Sequence, residues 1–305
     1  MTEVSARFSN VHKRFGDVDA LSGLELSIPR GSVVALLGRN GAGKSTALRC
    51  LVGLERPDSG QLSVVGHEPL TLDVPMRQRI GYLSEDGVPF PFATADKLIR
   101  FCAPLYPHWS GALEQQILSR FQIDPRRKLR DLSLGQRRAV GLLLAVCPQP
   151  ELLILDEPAA NLDALVRREF LDIVLGLVGD DDARRTVIFS SHILSDVERI
   201  ADRVAILHHG RLLIERPLDE LKEQVRRLRL MFAGAPPERL ELSGLLSLRR
   251  AGHEMRATVI GYDDDAIEDL AVDLHARVEV QQLGLEELFI DLVDDGDSAA
   301  AAAAI

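Results

Sequence analysis

The chain has 305 residues, 46% hydrophobic and 27% charged, which supplies apolar surface for about two packed domains and excludes a mainly disordered protein. Its formal net charge of -10, from 46 acidic and 36 basic residues, excludes a general nucleic-acid binder, which needs a basic surface to displace counterions from phosphates. No apolar run approaches the ~20 residues that cross a bilayer, the longest lying around residues 139–147.

The opening residues carry no basic stretch followed by an apolar one, so no secretory leader is expected. Cys50, Cys102 and Cys147 are scattered and without metal-type spacing, as expected for reduced thiols in the cytosol.

The first clear element is SVVALL at residues 32–37, short, β-branched and bounded by Gly31 and Gly38. It reads as a buried strand of a parallel sheet. GRNGAGKST follows at residues 38–46, and ALRCLVGL then takes up helical spacing. Gly38, Gly43, Lys44 and Ser45 satisfy G-x-x-x-x-G-K-[ST]. The glycines let the backbone curl so that several N–H groups face one anion, and the helix N-terminus adds its partial positive charge. The loop Gly38, Arg39, Asn40, Gly41, Ala42, Gly43, Lys44, Ser45 and Thr46 would therefore wrap a triphosphate. In it Lys44 reaches the β- and γ-phosphates and the Ser45 hydroxyl faces magnesium. An ordinary glycine turn would not require a lysine and a hydroxyl at these fixed positions.

Residues 93–106 and 111–121 read as helices, with Leu98, Phe101 and Leu105 recurring on one face and Pro107 ending the first. Leu152 to Leu155 form a second apolar strand that ends in Asp156 and Glu157. Taken alone, these acids before Pro158 would be a surface turn. Beside a P-loop, Asp156 takes the metal side and Glu157 is free to orient or deprotonate a water. A third strand at 186–191 delivers His192, and a lone histidine at a strand end is more often structural than catalytic.

Strands follow near 203–207 and 211–215, Pro217 marks a boundary, and a helix is expected over 218–228. LRLMFAG, residues 246–250 and MRATVIG alternate as strands, 265–274 reads as a helix, RVEVQQL as a strand and LGLEELFIDLV as a closing helix. The acidic runs at 180–182 and 263–265 read as solvated loops, the cluster Arg126, Arg127, Lys128 and Arg130 as a solvated face, and 294–305 as a disordered tail. His208 and His209 lack companion ligands, so no zinc site is expected.

LSLGQ at residues 132–136 lies between the P-loop and the acid pair and resembles the LSGGQ signature of the ATP-binding-cassette (ABC) superfamily. Matching segments occur in the family's order: Tyr82 to Glu85 where the Q-loop begins, Ala160 to Asp163 as the D-loop, and Ser190-Ser191-His192 as the switch histidine. The resemblance covers residues 3–217. It implies an α/β fold, a P-loop NTPase core of ABC type over 1–219 with a helical subdomain inserted at about 86–146, then a small C-terminal α+β domain over 220–293. Many bacterial exporter ATPases carry such an extension.

The resemblance further implies that Phe15 stacks on adenine, that Glu85 joins Ser45 and Asp156 near magnesium, and that Lys44, Glu157 and His192 carry catalysis. Ser133, Gly135, Gln136 and Asp163 would complete the ATP site across a head-to-tail dimer. Leu134 and Asn161 stand where the family often has glycine, and Glu85 where it has glutamine. The implied activity is ATP hydrolysis with Mg2+, powering an exporter through ATP-driven dimer closure. The implied partners are a second copy and a separate transmembrane permease on the inner face of the cell membrane, docked around residues 85–109, with no direct nucleic-acid partner. A soluble, non-transport ABC ATPase clamping a protein or nucleic acid is the second reading. A P-loop phosphotransferase is the third, and it has no use for LSLGQ.

Overall fold

The computed structural model describes residues 3–178, 185–237, 240, 242–262 and 264–294. The acidic run at 180–182, Asp263 and the tail from 295 onward lie outside the described residues.

The chain opens with two strands that hydropathy alone did not mark, β1 (Val4–Phe15) and β2 (Val18–Pro29), paired antiparallel. They alternate imperfectly because the register shifts around Asn10, which sits at φ 50°. With β4 (Ser59–Val64) they form a three-stranded antiparallel sheet, β2-β1-β4.

The second sheet is six-stranded. Its members are β3 (Val33–Leu37), β5 (Ile80–Leu83), β6 (Leu152–Leu155), β7 (Thr186–Ser191), β8 (Arg203–His208) and β9 (Arg211–Pro217), in the order β5-β6-β7-β3-β8-β9. Every pair is parallel except β8 with β9. The central strands are apolar throughout because both faces are covered. Val33, Ala35 and Leu37 of β3, with Leu153 and Leu155 of β6, face one core. Val34, Leu36, Leu152 and Ile154 face the other. The second core is roofed by the antiparallel sheet and α1 (Lys44–Leu51).

The first core is covered by α3 (Ala95–Cys102), α4 (Gly111–Arg120), α5 (Leu134–Val146), α6 (Ala164–Val178) and α7 (Leu194–Ile200). A four-residue helix, α2 (Val74–Arg77), precedes β5. Each fully buried leucine in these cores contributes about 1.5–3 kcal/mol.

Three readings of the sequence change here. The helix expected over 93–106 stops at Cys102, because Pro104 cannot continue the α ladder and a 3-10 turn follows. Its buried face is Ala95, Leu98 and Ile99, while Phe101 and Leu105 are exposed. The helix expected over 218–228 is α8 (Leu218–Gln224) alone. Val225 already starts β10 (Val225–Phe232), where Val225, Leu228 and Leu230 are buried and pairing to a neighbouring strand overrides helical spacing.

β10 is central in a four-stranded antiparallel sheet with β11 (Leu245–Ala251), β12 (Glu254–Ile260) and β13 (Ala276–Gln282), ordered β11-β12-β10-β13. Ile267 of α9 (Asp264–Asp273) packs with Leu228, Leu230 and Met255 in a separate small cluster. The last helix, α10 (Leu285–Asp294), instead sends Leu285, Leu288 and Leu292 into the large core beside α7. It is tied to the sheet by Asp291, which accepts from Arg227 at 2.8 Å and from the Thr258 hydroxyl at 2.6 Å.

Burial pushes the Cys50 and Cys147 thiols up to about 12 and raises Cys102 as well, though Cys102 is only half-buried and so the most accessible of the three. Because the thiolate is the nucleophile, native protein at pH 8 is expected to expose one reacting thiol, Cys102, to a chromogenic disulfide, and all three after denaturation. Rapid native modification of Cys50 or Cys147, mapped by mass spectrometry, would contradict this burial.

Candidate active site

β3, β7 and β6 are neighbours, so the P-loop, His192 and the acid pair emerge together at the C-terminal ends of adjacent parallel strands. Open α/β sheets bind ligands at this end. Gly43 caps α1 at φ 100°, and a Cβ there would lie 2.4 Å from the Ala20 carbonyl oxygen. At Gly38 a Cβ would lie 2.7 Å from the Leu207 carbonyl oxygen. Both positions demand glycine for room, and Gly43 also for its backbone angle. Arg39, Asn40 and Gly41 form the exposed tip, and Ala42 is buried beneath it.

Lys44 is buried, with Nζ donating to the Gly38 carbonyl at 2.8 Å and standing 3.3 Å from Glu157 Oε1. The other Glu157 oxygen, Oε2, lies 2.8 Å from His192 Nδ1. One carboxylate thus joins the P-loop lysine to the histidine of β7's end. Beside it, Ser45 Oγ donates to Asp156 Oδ1 at 2.9 Å. Asp156 Oδ2 is buried and has no hydrogen-bond partner. A hydroxyl and an orphaned carboxylate oxygen next to a phosphate cradle fit a hard divalent cation that keeps several waters and phosphate ligands. Thr46, next in α1, is half-buried.

The signature residues lie elsewhere. Ser133 is exposed and caps α5, where its Oγ accepts from the Gln136 N–H at 3.1 Å and its own N–H donates to Gln136 Oε1 at 3.1 Å, a capping box. Gly135 is required by α6, since a Cβ there would meet Val166 at 2.8 Å. Asp163 caps the same helix through the Leu165 and Val166 N–H groups at 3.1 and 3.0 Å. Leu134 occupies the first turn of α5 with its side chain exposed, so helical geometry there is open to any residue. Asn161 adopts φ 62°, a left-handed angle asparagine tolerates in place of glycine. Among the described residues no hydrogen bond or ion pair links Ser133, Gly135, Gln136 or Asp163 to the P-loop. Phe15 is 45% exposed at the end of β1 with Lys13 Nζ 4.9 Å from its ring centre.

Comparison with known proteins decides the family. An ABC transporter family description matches residues 21–160. An uncharacterized ABC transporter ATP-binding protein of Nostoc sp. is 38% identical over 67% of this chain, which spans 62% of that protein. The daunorubicin resistance ATP-binding protein DrrA3 of Streptomyces coeruleorubidus is 34% identical over 73% of this chain and 72% of its own length. The chain belongs to the ABC transporter ATP-binding family. A sulfate/thiosulfate import ATP-binding protein, CysA of Synechocystis sp., is also 35% identical over 68% of this chain and 59% of its own. Among solved structures, an ATP-binding subunit of an ABC transporter superposes with TM-score 0.63 at 27% identity, covering 72% of this chain and 92% of the other. A dimeric ATP-binding cassette in a post-hydrolysis state, bound to ADP and Pi, shares the fold at TM-score 0.61 and 24% identity, covering 70% and 98%.

In this ABC ATPase the structure also places beside the site residues that sequence patterns did not single out for it. Ser190 in β7 is fully buried and bonded to both acids. Its only signal was a hydroxyl two residues before His192. Arg138 of α5 is buried, with Nη1 donating to the Ser84 carbonyl at 2.9 Å. Burial lowers its guanidinium, and the charges of Glu85, Asp156 and others partly restore it. Glu85 itself is exposed, two residues past the end of β5. No described helix is long and apolar enough to cross a membrane.

Proposed function

We propose that this ABC ATPase powers export by closing, head to tail, as two copies around two ATP molecules and reopening on hydrolysis, while bound to a transmembrane permease at the inner face of the cell membrane. The observation that carries the reading is the split site. Lys44, Ser45, Asp156, Glu157 and His192 converge in one place, while Ser133 stands exposed at the N-terminus of α5 and apart from them. A facing copy unites the two halves, which is how affinity comes to differ between open and closed states.

In this reading the loop N–H groups and Lys44 grip the phosphates, and Ser45 and Asp156 would hold magnesium, with Glu85 as a further candidate ligand. When bound, the metal neutralises charge developing on the β- and γ-oxygens. Glu157 takes a proton from water as the water oxygen bonds to the γ-phosphorus and the bond to the β-phosphate oxygen breaks, yielding ADP and phosphate. His192 holds Glu157 through Nδ1, and Phe15 stacks on the base. Residues 1–219 form the ATPase unit, its helical part at 86–146, and residues 220–293 an accessory unit docked through α10. Exposed Phe90, Phe92, Phe101 and Leu105 support permease docking on the helical part. The resistance named for DrrA3 supports export, against the import named for CysA.

Mixing Lys44→Ala and Ser133→Arg chains leaves one complete composite site per heterodimer. ATP-dependent dimers are expected in the mixture and in neither variant alone, by light scattering on a size-exclusion column. Monomers throughout would refute the head-to-tail arrangement.

A further inference from the structure

We propose that Ser190 is the positioning residue that assigns the two neighbouring acids their separate tasks, an inference that rests on the reading of Asp156 and Glu157 above. Its hydroxyl lies between them: Oγ donates to Asp156 Oδ1 at 2.7 Å and accepts from the Glu157 N–H at 2.7 Å. The direction of both bonds follows from chemistry, since a backbone N–H only donates and an ionised carboxylate only accepts. The single hydroxyl proton is therefore committed to Asp156.

Two consequences follow. Asp156 Oδ1 is saturated by Ser190 and by Ser45 at 2.9 Å, which fixes the carboxylate rotation and leaves Oδ2 as the free oxygen. Glu157 is a non-glycine residue at φ 43°, a conformation that persists only when surrounding groups enforce it. The bond from its N–H to Ser190 is such a restraint. It turns the Glu157 side chain away from Asp156 toward Lys44 and His192. Ser190 is 0% exposed, so its hydroxyl is committed to these two partners rather than to bulk solvent.

The test uses full-length Ser190→Ala and Ser190→Cys beside the parent, with three readouts: Mn2+ affinity by electron paramagnetic resonance in the presence of ADP, ADP binding in chelator, and ATP turnover. Groups that orient metal ligands are worth about 10–100-fold in metal affinity or activity. Ser190→Ala is expected to lose that much in Mn2+ affinity and in kcat, with metal-free ADP binding unchanged because the P-loop is untouched. Ser190→Cys, a weaker donor, falls between. Parental Mn2+ affinity in the folded Ser190→Ala fraction overturns the proposal, as does an equal loss of metal-free ADP binding, which marks general disruption. If Ser190→Ala does not fold, parental Mn2+ affinity in Ser190→Cys overturns it. A parent without ATPase activity sinks the reading of the site, whereas an active parent matched by Ser190→Ala sinks this inference alone.

Discussion

Lys44→Ala is expected to lose ATP hydrolysis by at least ~10²-fold, the usual cost of deleting one preorganised donor to developing charge, and to bind ATP weakly. The buried Nζ sits between the Gly38 carbonyl and Glu157, where the curled loop would place phosphate oxygens. The same change removes the cation facing Glu157. A buried charge left without its partner costs about 3–5 kcal/mol, and His192 at 2.8 Å offsets part of it. The thermal midpoint should therefore fall even without nucleotide. Parental turnover by a coupled phosphate assay would refute the role given to Lys44.

Glu157→Gln separates binding from chemistry. A positioned general base contributes about 10²–10⁴-fold, so hydrolysis should fall by that factor. ATP affinity should persist, because Lys44 keeps its bond to Gly38 and Ser45 its bond to Asp156. Glutamine can still hydrogen-bond to His192 but cannot accept a proton from water. ATP-bound dimers should then accumulate on a size-exclusion column in magnesium and disperse when ATP is withdrawn. Hydrolysis at the parental rate would exclude Glu157 as the base.

The sites most legible in the sequence were those where chemistry and backbone make local demands together. Gly43 and Gly38 are dictated by contacts under 3 Å, and the residues that follow must present a cation and a hydroxyl, so the motif is contiguous. The strands ending at Asp156 and His192 were legible because burial on both faces makes them apolar throughout. The antiparallel strands β1 and β2 were not, since their register shifts break the period-two pattern. The outward turn of Phe101 and Leu105 was also hidden, because helical spacing says which residues share a face but not what covers that face.

Local order along the chain was therefore enough to name the phosphate loop, the acid pair, the signature and their family. What required the folded molecule was adjacency. Residues 45, 156 and 190, far apart in the chain, meet at one carboxylate only because β3, β7 and β6 lie side by side in that order. Hydrophobic periodicity reports burial of each segment and carries no record of which segments become neighbours. The joining of Lys44 to His192 through Glu157, the hidden part played by Ser190 and the return of α10 to the main core are all products of that packing.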